Sequence, residues 1–124
     1  MSFDDRSLAR LKGVHPALVR VAQAALISSK IPFVITEGLR FNERQAYLFS
    51  SGKSRTLQSR HLSGRAVDVA AVVDGRISWD FEDYVIISKA WKREAALLGV
   101  PIIWGGDWEK FRDGPHFELV KDYP

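Results

Sequence analysis

The sequence predicts an α+β domain: a small, mostly antiparallel sheet with helices packed mainly on one face. Four short apolar runs, 31–36, 66–73, 102–104 and 116–120, have the length and β-branched content of strands. Helical periodicity fills much of the chain between and before them. Two longer segments, 53–65 and 105–115, are rich in Ser, Arg, Gly, Trp and Asp and read as loops. No repeat, low-complexity stretch or linker interrupts the 124 residues, which read as a single domain over 1–124.

The elements follow in order. Residues 4–12 form a short helix closed by Gly13. Pro16 opens a second helix, since its missing N–H falls where no intrahelical partner exists. Leu18, Val21, Ala22, Ala25 and Leu26 line one face of it to about Lys30. Ile31 to Thr36 is a buried strand that delivers Glu37-Gly38-Leu39-Arg40 into a turn. Asn42, with Gln45 three residues on, resembles a capping box opening a helix that ends at Gly52. Ala66 to Val73 is a second strand. Asp80 and Asp83 offer an N-cap and an acidic first turn to a helix running to Gly99, with Phe81, Tyr84, Val85, Ser88, Trp91, Ala95 and Leu98 in helical period. Ile102–Trp104 and His116–Val120 are the remaining strands.

Composition narrows the chemistry. With 46% hydrophobic residues the chain has enough apolar content for a core. It has no cysteine, which excludes a thiolate metal site, a catalytic thiol and any disulfide. The net charge of +3 is spread along the chain without a basic run, unlike the stripe of a nucleic-acid binder. A mild cationic surface equally suits an anionic polymer such as a bacterial cell wall. The N-terminus is acidic and lacks an apolar signal core, and no apolar stretch nears the ~20 residues that span a bilayer. A cytoplasmically made monomer without membrane insertion is the expectation.

Two fragments carry the chemistry: Ser59-Arg60-His61-Leu62-Ser63-Gly64-Arg65-Ala66-Val67-Asp68 and Asp113-Gly114-Pro115-His116-Phe117-Glu118. Together they offer two of the chain's three imidazoles and a carboxylate as ligands, with a spare carboxylate three residues before the last histidine. That is the inventory of a catalytic zinc site with an open position and a base. Period two puts Ala66, Asp68 and Ala70 on one strand face, with Val67 and Val69 toward the core. Gly64 permits the sharp loop that would fold His61 back over the strand. His116 and Glu118 share a face of the last strand, so Glu118 is a candidate to accept the second ring N–H of a ligating His116. Each residue has a plainer role too. Asp68 could pair with Arg65 or Arg40, Asp113 could merely form an Asp-Gly turn, Glu118 could be a surface residue, and Arg40 could pair with Glu37 or Glu43. His15 reads as packing or capping, and Trp104 as core or cleft.

At these fragments the chain resembles the zinc peptidases that cut D-amino-acid-containing bonds of peptidoglycan, including the vancomycin-resistance type D-alanyl-D-alanine carboxypeptidases; hedgehog-like domains share that fold. The resemblance is strongest to single-domain phage endolysins with L-alanyl-D-glutamate endopeptidase activity. It extends from Val14-His15-Pro16 through Thr36-Glu37-Gly38-Leu39-Arg40 and Trp104-Gly105-Gly106-Asp107-Trp108 to Glu118. It implies that His61, Asp68 and His116 hold one Zn2+ per chain and that Asp113 is the catalytic acid/base. It matches Arg40 to an arginine that polarises the scissile carbonyl or binds a substrate carboxylate. Ser59 matches the serine before the first ligand, and Trp108 is a candidate cleft residue. Glu37 stands where many relatives carry a small polar residue. The implied substrate is the stem peptide of bacterial peptidoglycan, reached from the host cytoplasm through a holin-type pore. A D,D-carboxypeptidase trimming terminal D-Ala and a non-catalytic zinc-containing wall-binding module are the competing readings.

Overall fold

The computed structural model describes residues 2–39 and 63–124. The expected helix over 42–52 and most of the 53–65 loop lie outside the described residues. Within them the chain runs α1 (Asp5–Arg10), α2 (Pro16–Ser28), β1 (Phe33–Glu37), β2 (Ala66–Val73), β3 (Arg76–Ser78), α3 (Phe81–Leu98), β4 (Ile102–Trp104) and β5 (His116–Leu119). The strand order is β1-β2-β5-β4, with β3 paired to β2, and every pairing is antiparallel. This is the α+β class that the sequence predicts.

Local chemistry accounts for the boundaries. The Asp4 carboxylate accepts from the Ser7 N–H at 2.8 Å and starts α1. Pro16 occupies the first turn of α2, where His15 acts as the cap: its Nδ1 accepts from the Ala17 N–H at 3.0 Å. Asp80 stands at the cap position of α3, but its side chain makes no capping hydrogen bond; its carbonyl accepts from the Asp83 N–H instead. Gly99, at φ 71°, ends that helix in the left-handed conformation.

One strand escaped the sequence reading. Asp74 and Gly75 both have positive φ, 52° and 75°, as a type I′ turn requires, and fold β3 back on β2. The Asp-Gly pair between apolar residues was the available signal.

The core lies on one face of the sheet. Phe33 and Ile35 from β1, Val67, Val69 and Ala71 from β2, and Phe117 and Leu119 from β5 join buried residues of α2 and α3. Trp91 sits at the centre, stacked on Phe117 at 4.1 Å. Among the described residues β1 is an edge strand, and α1 covers it: Ser7 Oγ accepts from the Ile35 N–H and Arg10 donates to the Ile35 carbonyl, both at 3.0 Å. Those bonds occupy polar groups that an edge would otherwise offer to another chain. The opposite sheet face is left for chemistry.

Candidate metal centre

Register brings the functional side chains together. Asp68 pairs with His116 across β2 and β5, and Ala66 pairs with Glu118. Directly opposed residues share a face, so Asp68, His116 and Glu118 all project away from the aliphatic core. The valines at 67 and 69 are fully buried on the other side, as the alternation predicts.

The turn before β5 supplies the third group. The His116 N–H donates to the Asp113 carbonyl at 3.1 Å, and the Asp113 N–H donates to the Gly105 carbonyl at 3.0 Å. The Val69 N–H takes the Pro115 carbonyl at 3.0 Å, tying the turn to β2. Trp104, a core residue, donates its indole N–H to the Gly114 carbonyl at 2.6 Å. Asp113 is therefore positioned by backbone bonds that do not involve its carboxylate. Gly105 is required here: a Cβ on it would lie 2.4 Å from the Asp113 carbonyl oxygen and 3.0 Å from the His116 Cβ. Sequence reasoning placed Gly105 in the loop without seeing that close approach.

One potential ligand atom each from Asp68, Asp113 and His116 lies within 4.8 Å of the other two. Two carboxylates and an imidazole so gathered suit a divalent cation such as zinc. The His116 ring lies between Asp68, whose Oδ1 is 3.2 Å from Nδ1, and Glu118, whose Oε1 is 2.8 Å from Nε2. Each ring nitrogen thus faces a carboxylate oxygen, and in the tautomer with Nε2–H toward Glu118 the Nδ1 lone pair is turned toward Asp68. Glu118 shares the strand face of His116 and lies against its Nε2.

Without a metal, the same surroundings favour a proton. Burial opposes charging His116, but hydrogen bonds with Asp68 and Glu118 and the charges of Asp68 and Asp113 outweigh it, raising its pKa to about 9. Trp108 packs its ring 5.1 Å from the imidazole, at the edge of the centre. Glu37 is a further neighbour. The register shift between Ile35 and Glu37 sets Glu37, rather than Thr36, opposite Asp68. His61, Arg40 and Ser59 lie outside the described residues.

Comparison with known proteins agrees with this geometry. The family model described as phage L-alanyl-D-glutamate peptidase matches residues 1–120. The L-alanyl-D-glutamate peptidase of Escherichia phage T5 is 32% identical, over 95% of this chain and 97% of its own length. The peptidoglycan L-alanyl-D-glutamate endopeptidase CwlK of Bacillus subtilis is 33% identical, over 86% of this chain and 74% of its own. Among solved structures, the Serratia marcescens L-Ala D-Glu endopeptidase ChiX superposes with a TM-score of 0.90 at 47% identity, covering 97% of this chain and 90% of that one. The vancomycin-resistance D,D-pentapeptidase VanY, at 19% identity and a TM-score of 0.52 over 95% of this chain and 72% of that one, shares the fold. The chain belongs to the family of phage L-alanyl-D-glutamate peptidases.

Proposed function

We propose that this chain is a zinc-dependent peptidoglycan hydrolase, a single catalytic domain over 1–124 that cleaves the L-Ala–D-Glu bond of the stem peptide. The convergence of Asp68, Asp113 and His116 on one point of the sheet carries the reading. His61, Asp68 and His116 are the proposed ligands of one Zn2+; VanY, which shares the fold, was crystallised with Zn(II). Bound there, zinc supplies Lewis acidity, polarising a carbonyl and lowering the pKa of water toward ~7.

The remaining work falls to the protein. Asp113 accepts the proton of the attacking water on a carboxylate oxygen, then delivers it to the departing amine of D-Glu. Glu118 holds the Nε2–H of His116 and fixes its tautomer. Arg40 polarises the scissile carbonyl or binds a substrate carboxylate, and Ser59 and Trp108 contact substrate. Relatives named for the L-Ala–D-Glu bond, at 32–47% identity, favour that bond over the D,D-peptidase chemistry of VanY. A carboxylate such as Asp113 beside the ligand atoms disfavours a purely binding module. The phage relative supports a lytic role, in which a monomer made in the host cytoplasm reaches the wall through a holin-type pore. Among the described residues, no helix is long and apolar enough to cross a membrane.

Zinc titration of chelator-stripped protein tests the assignment. Activity should vanish on stripping and return at one zinc per chain, and Glu118→Gln should need roughly 10- to 100-fold more free zinc for half-activity. Full activity in the stripped protein would refute it.

A further inference from the structure

A cavity of about 380 Å³ opens between the end of α1 and the end of β1, with Arg10, Lys12, Thr36, Glu37 and Gly38 in its wall. That volume falls in the range of small-ligand sites, roughly 300–1,000 Å³. A Cβ on Gly38 would collide with the Arg10 carbonyl oxygen, so glycine is what lets strand and helix close on each other here. Arg10 donates from Nη1 to the Ile35 carbonyl at 3.0 Å, which fastens the guanidinium to β1. Among the described residues its remaining N–H groups make no other hydrogen bond. Lys12 is exposed, and among the described residues its ammonium has no hydrogen-bond or ion-pair partner. Two cations against the single carboxylate of Glu37 make the wall net positive. Such a wall suits an anion, and a guanidinium beside an ammonium suits a carboxylate.

Register places the cavity beside the metal centre. Glu37, in its wall, is the direct partner of Asp68 across β1 and β2. The Ile35 N–H and carbonyl both bond to α1, to Ser7 and Arg10, so both point away from β2. The Arg10 guanidinium therefore stands beyond the outer edge of β1. Neighbouring strands are about 4.8 Å apart, and one further spacing reaches the guanidinium, so roughly 10 Å separates it from the strand of Asp68. The stem peptide can span that gap. D-Glu is joined to the next residue through its γ-carboxyl, which puts six bonds, up to roughly 7 Å, between the cut nitrogen and that residue's Cα. In Gram-negative walls this residue is meso-diaminopimelate, whose side chain ends in a carboxylate up to roughly 6 Å further on. The α-carboxylate of D-Glu, two bonds from the cut, is too near the metal to reach Arg10.

We propose that the Arg10–Lys12 cavity is a carboxylate subsite that receives the side-chain carboxylate of the diamino acid following D-Glu. The proposal rests on the endopeptidase reading above and adds a specificity site on the leaving side of the cut bond.

The test compares two muropeptides with the stem L-Ala-γ-D-Glu-meso-diaminopimelate-D-Ala, one with the side-chain carboxylate free and one with it amidated. The zinc-loaded wild type should prefer the free carboxylate. Lys12→Glu reverses one charge on an exposed side chain and leaves the Arg10 bond to β1 in place. It should lower kcat/KM for the free carboxylate by roughly tenfold, through a raised KM, and so abolish the preference. Lys12→Arg should keep the preference. Lys89→Glu, the same charge change on an exposed position of α3, should keep it too, which separates a local subsite from the field of the whole surface. A wild type without preference, equal losses on both substrates in Lys12→Glu, no loss on either, or the same loss in Lys89→Glu would overturn the proposal while leaving the endopeptidase reading standing. A wild type that cuts neither substrate would overturn that reading and this inference with it.

Discussion

Asp113→Asn is expected to lower kcat by roughly 10²- to 10⁴-fold while the protein still binds one metal per chain. The substitution is nearly isosteric. The bonds that position residue 113, from its N–H to the Gly105 carbonyl and from the His116 N–H to its own carbonyl, are both backbone and survive it. What is lost is a group able to hold a proton between water and leaving amine. Metal content measured beside kcat separates the two roles open to a carboxylate within 4.8 Å of the Asp68 and His116 ligand atoms. Activity lost with metal retained identifies a base. Loss of both makes Asp113 a ligand, and full activity removes it from the mechanism.

The second large effect is on stability against pH. In the metal-free protein the His116 pKa stands at about 9, above its ordinary 6.5. Between these values the folded state holds a proton that the unfolded chain has released, so stability falls as pH rises. The contribution is fully present below 6.5 and lost through about 9, and is on the order of 3 kcal/mol. Zinc reverses the trend, because an Nδ1 that binds metal must first give up its proton. Thermal melts from pH 6 to 10 should show Tm falling in chelator, while the increment from added zinc grows over the same range. A chelator Tm that is flat or rises across that range would mean that His116 is not held protonated by Asp68 and Glu118.

Much of this was legible in the sequence, and the reasons are local. Alternation over Ala66–Ala70 put Asp68 on the face opposite Val67 and Val69, which are both fully buried in the core. The same period put His116 and Glu118 on one strand face, and Pro16 and Gly99 marked helix ends through their backbone preferences. What the sequence withheld depends on long-range approach. The bulge that sets Glu37 opposite Asp68 is a register property of two strands far apart in the chain. The tightness around Gly105 arises where β4 and the turn before β5 meet. The positive φ of Phe111 has no sequence signature, since Phe is an unusual residue for that conformation. The β2–β3 hairpin differs: its Asp-Gly turn was readable and was passed over.

The bond itself is tested most directly by mass spectrometry of purified Gram-negative peptidoglycan digested with the zinc-loaded protein. Glycan fragments ending in L-Ala and released peptides beginning with D-Glu are the predicted products, absent in chelator and restored by zinc. Release of terminal D-Ala alone would contradict the L-Ala–D-Glu assignment, and an undigested wall with zinc bound at one per chain would contradict a catalytic role.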